Sequence, residues 1–292
     1  MPTSLVENLI GKIKRRKLDD GGFSEQENGS YRPDATSWTV LALSAAGVDP
    51  ESVDGSRSRL ARSQLKDGRI PISLNHPEAY WPTPLAVLAW QGSKPLHQNA
   101  LLATEFLLKT TGLHWKKKET DPAKHDTALR GWPWVEETHS WIEPTSLNII
   151  ALKKAGYKDN PRVKEAISMI LDRQLPKGGW NYGNTVVYGN ELLPLTDSTG
   201  VALYALADQV PYERVARSLT YINGQVGLIR SPFSLGWSIL GLEAWGKRPR
   251  DTENLIMNCL KREEKIGNFG TTSYSLLLLA LIAKDGIEKI II

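Results

Sequence analysis

Gly131-Trp-Pro-Trp-Val-Glu-Glu-Thr-His-Ser-Trp-Ile-Glu-Pro-Thr-Ser-Leu-Asn-Ile-Ile-Ala-Leu-Lys-Lys-Ala-Gly156 holds both halves of the pattern that decides the fold. The first half is a polar loop carrying Trp132, Trp134, His139 and Trp141. Glu143-Pro144 then opens a helix. Proline suits the first helical position, because its missing N–H would have no partner there and its φ is already helical. Leu147, Ile149, Ile150, Ala151 and Leu152 continue as a helix too apolar for a surface, and Ala155-Gly156 is a glycine stop. Carboxyl, imidazole and indole groups therefore collect just ahead of the N-terminus of a buried helix.

The same order recurs in both directions. Leu5, Leu9, Ile10 and Ile13 stand at helical spacing and predict an amphipathic helix over 3–18, broken at Asp19-Asp-Gly-Gly-Phe23. A polar loop to Pro33-Asp34 leads into an apolar helix over 35–46, closed by Gly47. Residues 56–65 and 84–90 form a second pair, and 99–109 with the helix from Pro144 a third. The fourth is 162–173 with 200–207 and the fifth is 212–222 with 233–245. The sixth is 251–262 with 275–283, closed by Gly286. Repetition of one unit marks a repeat architecture. Two helix classes of unequal apolarity predict concentric layers, since a helix apolar all round must be buried. The expectation is an all-α, single-domain (α/α)6 toroid of six helix-pair repeats over residues 1–292. An open solenoid is the rival, but its turns are shorter and it lacks a long polar loop before every second helix.

The 292 residues suffice for one large core, and 41% hydrophobic with 23% charged residues is ordinary for a soluble chain. A net charge of +4 argues against a nucleic-acid partner. Lys12-Ile-Lys-Arg-Arg-Lys17 and Lys116-Lys-Lys118 read as solvated faces. The single cysteine, Cys259, excludes an internal disulfide or a cysteine-rich metal cluster and reads as a core residue. No cofactor and no metal site are expected. No signal-peptide core opens the chain and no stretch reaches the roughly 20 apolar residues of a membrane span, so the expectation is a cytoplasmic protein without a transmembrane segment. The apolar tail Ile287-Glu-Lys-Ile-Ile-Ile292 is expected to pack on the body. Oligomeric state has no signature.

If the apolar helices run parallel, their N-termini meet at one end and rim a single cavity. Each brings unpaired N–H groups and a partial positive charge. That rim collects Tyr31, Arg32, Asp34 and Trp38; Tyr80 and Trp81; His139, Trp141 and Glu143; Asp197 and Thr199; Arg230, Ser231, Phe233 and Trp237; and Thr271, Thr272 and Tyr274. Asp34, Asp197, Ser231 and Thr271 equally suit helix caps. Glu143 also complements a helix dipole, and the tryptophans also fill cores. An apolar cavity with a few converging polar groups is the default ligand site.

A family resemblance enters with the turns. Gln174-Leu-Pro-Lys-Gly-Gly-Trp180 resembles the glutamine–tryptophan repeat of squalene and oxidosqualene cyclases, with Gln174 and Trp180 in a structural role. Asp20-Gly-Gly-Phe23 followed by Asp34-Ala-Thr-Ser-Trp-Thr-Val-Leu-Ala-Leu43 resembles the repeat of protein prenyltransferase β subunits. The resemblance spans the chain as six degenerate repeats. A zinc prenyltransferase would need an Asp-x-Cys pair and a distant histidine. The pair is missing, and Asn268-Phe-Gly-Thr-Thr-Ser-Tyr274 has no histidine. A class II terpene cyclase would need Asp-x-Asp-Asp, of which Asp126-Thr-Ala128 keeps only a fragment in a loop; complement-type thioester domains would need Gly-Cys-Gly-Glu-Gln, which is missing.

The resemblance implies a protein that binds an apolar, isoprenoid-like small molecule in the central cavity and works as a cyclase or isomerase. Glu143 or Asp197 would be the acid and His139 its orienting partner. Arg32, Asp34, Trp38, Tyr80, Trp81, Trp141, Trp237 and Tyr274 would form the substrate wall, with the aromatic rings steadying cations. Two alternatives stay open. One is a non-catalytic binding module. The other is a carbohydrate-active (α/α)6 enzyme, favoured by ten tryptophans and using Glu136 or Glu137 with Glu143, or Asp34 with Asp197, as its carboxyl pair.

Overall fold

A computed structural model of the chain describes residues 4–118 and 123–283. The tail 287–292 and Gly286 lie outside the described residues. Helices account for nearly all regular structure. In order they are α1 (Leu5–Lys14), α2 (Pro33–Ala45), α3 (Pro50–Ala61), α4 (Thr83–Ala89), α5 (His97–Lys109), α6 (Ile142–Leu152), α7 (Pro161–Asp172), α8 (Thr196–Leu206), α9 (Tyr212–Gln225), α10 (Pro232–Glu243), α11 (Thr252–Leu260), α12 (Glu263–Ile266) and α13 (Thr271–Ile282). A two-stranded antiparallel hairpin, β1 (Val186–Val187) and β2 (Asn190–Glu191), interrupts the loop before α8. The protein is all-α with this one ornament among the described residues. None of its described helices is long and apolar enough to cross a membrane.

Both helices of each expected pair are present, but α3, α5, α7, α9 and α11 each lean mainly on the buried helix before them in the chain and not on the one after. Helices α2, α4, α6, α8, α10 and α13 each pack on the next, and α13 packs back on α2. These six are buried almost all round: every residue of α2 from Pro33 to Leu43 is shielded, as is every residue of α4. Helices α3, α5, α7, α9 and α11 lean on α2, α4, α6, α8 and α10, and α1 leans on α13. They bury single stripes, such as Val163, Ala166, Ile167 and Ile170 on α7. That division follows the sequence: a helix with one apolar stripe faces solvent on its other side, and one without a polar face cannot.

A threonine near the start of four buried helices holds the loop in front of it. Thr36 Oγ1 accepts the Phe23 N–H at 2.9 Å, Thr83 that of Ile70 at 3.0 Å, Thr145 that of Trp132 at 2.9 Å and Thr199 that of Trp180 at 3.0 Å. The first three span 13 residues each. The fourth spans 19, because the β1–β2 hairpin is inserted there. Gly131 must be glycine at its pin, since a Cβ there would collide with Thr145 Oγ1. The last seam joins the two ends of the chain: Thr271 Oγ1 donates to the Ser24 carbonyl at 2.6 Å, and Arg16 Nη2 to that of Phe269 at 2.9 Å.

Several helix starts differ from expectation, α3 most of all, which begins at Pro50 and not at 56. Helix α6 begins at Ile142, so Pro144 is its third residue, where a proline nitrogen still has no intrahelical partner. Asp34 and Asp197 are the second residues of α2 and α8 and cap neither helix; Ser231 does cap α10, accepting from Ser234 N at 3.3 Å. Helices α8 and α10 cross at glycines: a Cβ on Gly200 would strike the Trp237 backbone, and one on Gly241 would meet that of Gly200.

Replacing Thr145 by valine keeps the shape but leaves the buried Trp132 N–H unpaired. The expected loss is about 1–3 kcal/mol of stability in urea unfolding, with Thr145→Ser near wild type. An unchanged midpoint for Thr145→Val would show that the pin carries no energy.

Candidate active site

The starts of α2, α6, α10 and α13 meet, with the loop before α4, around a cavity of about 350 Å3. Its walls come from the starts of the helices. Helix α2 gives Asp34 and Trp38, α6 gives Glu143 and Leu147, and α10 gives Phe233. Thr272 and Ser273 come from α13, and Trp81 and Trp134 from the loops before α4 and α6. Trp81 and Trp134 meet edge to face, 5.3 Å between ring centres. The floor is apolar: Trp38 packs edge to face on Trp237 at 5.5 Å, above a small void lined also by Leu147 and Tyr204. The Trp237 indole N–H is buried there without a hydrogen-bond partner.

Three carboxyl groups and one guanidinium face this space. Arg32 grips Asp34 with two parallel bonds, Nε–Oδ1 at 2.9 Å and Nη2–Oδ2 at 2.7 Å, the bidentate geometry that suits guanidinium to carboxylate. Glu25 accepts from the Thr272 backbone N–H at 3.2 Å and its hydroxyl at 2.8 Å. Burial pushes the Glu25 carboxyl above its usual range, against those two bonds, which pull it down. Glu143 makes no hydrogen bond among the described residues. Loss of water around it, with Asp197 adding like-charge repulsion, pushes its carboxyl up to about 8. Its place as the second residue of α6 puts it in the helix dipole, which favours the ionised form by only about 0.3–1 kcal/mol, less than one pKa unit. Desolvation outweighs the dipole, and the Glu143 carboxyl is shifted well above the ordinary carboxylate range.

The structure brings Arg32, Asp34, Trp38, Trp81 and Glu143 to the cavity, with Trp237 beneath it. Asp197 lies near enough to Glu143 to repel it but does not line the cavity; its Oδ1 accepts from Ser198 N at 2.8 Å. His139 is exposed and touches neither acid. Its imidazole sits between Trp115 at 5.3 Å and Trp141 at 6.5 Å. Tyr80 turns sideways onto Phe106, at 5.0 Å, and Tyr274 is buried behind the wall against Arg16 and Glu263. Glu136, a possible partner acid, is bound outside the cavity by Arg69 at 2.9 Å. The expected set lacked Glu25, Trp134, Leu147 and Ser273. A larger cavity of about 590 Å3 opens at the opposite end, beyond the C-terminus of α4, among Trp90, Lys94, His97 and Tyr157; it carries no carboxyl group and so no comparable acid.

The chain matches no protein-family model and no curated protein. Its fold is similar to solved structures over nearly the whole length. One is a crystal structure of a protein from Actinoplanes, at TM-score 0.64 and 16% identity, covering 94% of this chain and 97% of that one. Another is described as a novel alpha-amylase from Clostridium perfringens, at TM-score 0.61 and 15% identity, covering 98% of this chain and all of that one. At such identities the likeness is one of fold. It corrects the resemblance to terpene cyclases and protein prenyltransferases, which none of the comparisons supports. The residues behind that resemblance serve the helix-pair turn. Gln174 donates to Ser218 Oγ at 2.7 Å, and the fully buried Trp180 gives its indole N–H to the Ile170 carbonyl at 2.7 Å.

The Glu143 proton has a thermodynamic signature. An unfolded glutamate loses it near 4.5, whereas the folded protein holds it to about 8. Across that window the native state binds more protons, so stability falls as pH rises. Glu143→Gln removes this dependence. Its melting temperature relative to wild type is expected to climb from about pH 5 to about pH 8, and a constant difference would mean that Glu143 titrates normally.

Proposed function

We propose that the chain is a carbohydrate-active (α/α)6 toroid that binds a glycan in the cavity at the helix starts and cleaves a glycosidic bond there. The cycle of helix contacts from α2 to α13 supports the toroid reading. The observation that carries the activity is the place of Glu143, a carboxyl group that burial pushes up to about 8, in the same cavity as Asp34 and its Arg32 partner. Glycoside hydrolysis uses such a pair: a carboxylic acid with raised pKa protonates the leaving oxygen, while a carboxylate serves as base or nucleophile. Glu143 is the acid and Asp34 the second carboxyl group, oriented by two bonds from Arg32. The indoles of Trp38, Trp81 and Trp134 offer electron-rich faces to the C–H faces of pyranose rings. Likeness to a fold that hosts an alpha-amylase makes an α-glucan the first substrate to test.

A binding module without catalysis is the second reading. It is favoured by the bonds that already occupy Asp34 and Glu25, as they would in a fixed recognition surface. One experiment separates the two. Maltooligosaccharides are expected to raise the melting temperature of wild type and of Glu143→Gln alike. Release of reducing ends is expected to fall about 10²–10⁴-fold in the variant. Stabilisation without product in wild type supports the binding module. Equal turnover in both proteins, or no stabilisation by any glycan, contradicts the assignment.

A further inference from the structure

Beneath the floor of the cavity the ring encloses two polar groups that no neighbour uses. Each buried helix sends a side chain to the void there: Trp38 from α2, Leu88 from α4, Leu147 from α6, Tyr204 from α8, Trp237 from α10 and Leu279 from α13. Trp237 is 2% exposed, and its indole N–H has no partner among the described residues. Tyr204 is 8% exposed, and its hydroxyl makes no hydrogen bond among the described residues, so burial alone acts on the phenol. The two rings meet edge to face, 6.1 Å between centres. Phenylalanine at either place would fill the same space without an unpaired polar atom. A buried donor or acceptor without a partner costs stability, so two of them on one void point to a guest that pairs with both.

The void lies directly under the carboxyl groups. Trp38 and Leu147 wall both the void and the cavity above it. They follow Asp34 and Glu143 by four residues on α2 and α6, one turn or about 6 Å along each helix. Trp237 stands in the same way below Phe233, which lines the cavity. A void of about 20 Å3 has room for roughly one or two heavy atoms.

We propose that this void seats the exocyclic hydroxymethyl group of a hexopyranose, which enters between Trp38 and Leu147, and that Trp237 and Tyr204 read its hydroxyl. The inference rests on the glycan reading of the cavity and deepens it, making the sugar a hexose and not a pentose. The group is one carbon and one oxygen, the size the void admits. Its methylene meets the leucines. Its oxygen accepts the Trp237 N–H, and its proton goes to the Tyr204 hydroxyl oxygen, which satisfies guest and host together. Asp34 and Glu143 then face the sugar ring one turn above.

The test compares methyl α-glucopyranoside with methyl α-xylopyranoside, which differ only in the hydroxymethyl group, by thermal stabilisation of the full chain. Wild type is expected to bind the glucoside at least about tenfold more tightly, because a site built to pair with a hydroxyl rejects the analogue that lacks it. In Trp237→Phe and in Tyr204→Phe that preference is expected to collapse, while the variants without ligand melt at or above the wild-type temperature. Equal effects of the two glycosides on wild type, none included, overturn the pocket, and this comparison needs no variant to fold. If maltotriose still stabilises the protein, the cavity reading stands; if it does not, the glycan reading fails as well. A preference that both variants keep also overturns the pocket, since the hydroxymethyl group is then read elsewhere.

Discussion

A threonine hydroxyl that accepts one loop N–H is the contact on which the rest of this structure depends. Each long loop must run from the end of a solvent-facing helix back over the ring to the start of a buried one. Its backbone would be buried with unpaired groups unless the ring supplied partners. Thr36, Thr83, Thr145 and Thr199 supply one each, at the same place in the unit. The hairpin in the fourth unit lengthens the loop and leaves the pin where it was. With the loops pinned, Trp132 and Trp180 are drawn inward and their indoles reach the Leu107 and Ile170 carbonyls of the preceding helices. The ring closes by related means, through Thr271 and Ser24.

Pinned loops have a chemical consequence. They bring the starts of the buried helices to one end, and with them whatever side chains stand at the second helical residue. In α2, α6 and α8 that residue is acidic: Asp34, Glu143 and Asp197. Asp197 repels Glu143, and the three acids differ in their partners. Asp34 takes Arg32, and Asp197 accepts from the backbone of Ser198. Glu143 finds no hydrogen-bond partner among the described residues, and burial pushes its carboxyl up to about 8. A carboxyl group of raised pKa beside a second one gripped by an arginine is an arrangement that acid–base chemistry can use.

The two classes of helix were legible because periodicity and glycine stops are local signals, each read within a dozen residues; which buried helix each solvent-facing one leans on was not. Legible for the same reason was the gathering of Arg32, Asp34, Trp38, Trp81 and Glu143, once the buried helices were taken as parallel. What failed depended on longer range or on side-chain direction. Glu25 reaches the cavity because Thr272, 247 residues away, sits beside it when the ring closes. Tyr80 and Tyr274 stand at the right height on their helices but turn into the wall, where Phe106 and Arg16 make better neighbours than open space. His139 sits in the right loop yet stacks on the outside. The family resemblance misled because glycine, glutamine and tryptophan at these turns report how one helix pair joins the next. Such residues recur wherever that join is made, whatever the cavity does.

The central claim is that Glu143 carries a proton at neutral pH because its cavity strips it of water. Infrared difference spectroscopy of wild type against Glu143→Gln, with 13C-labelled glutamate, observes that carboxyl group directly. A protonated-carboxyl band present in wild type at pH 7, absent from the variant and lost with a midpoint near 8, is the result expected. A midpoint in the ordinary carboxylate range, about 4.3, would contradict the account and leave Glu143 no acid to donate.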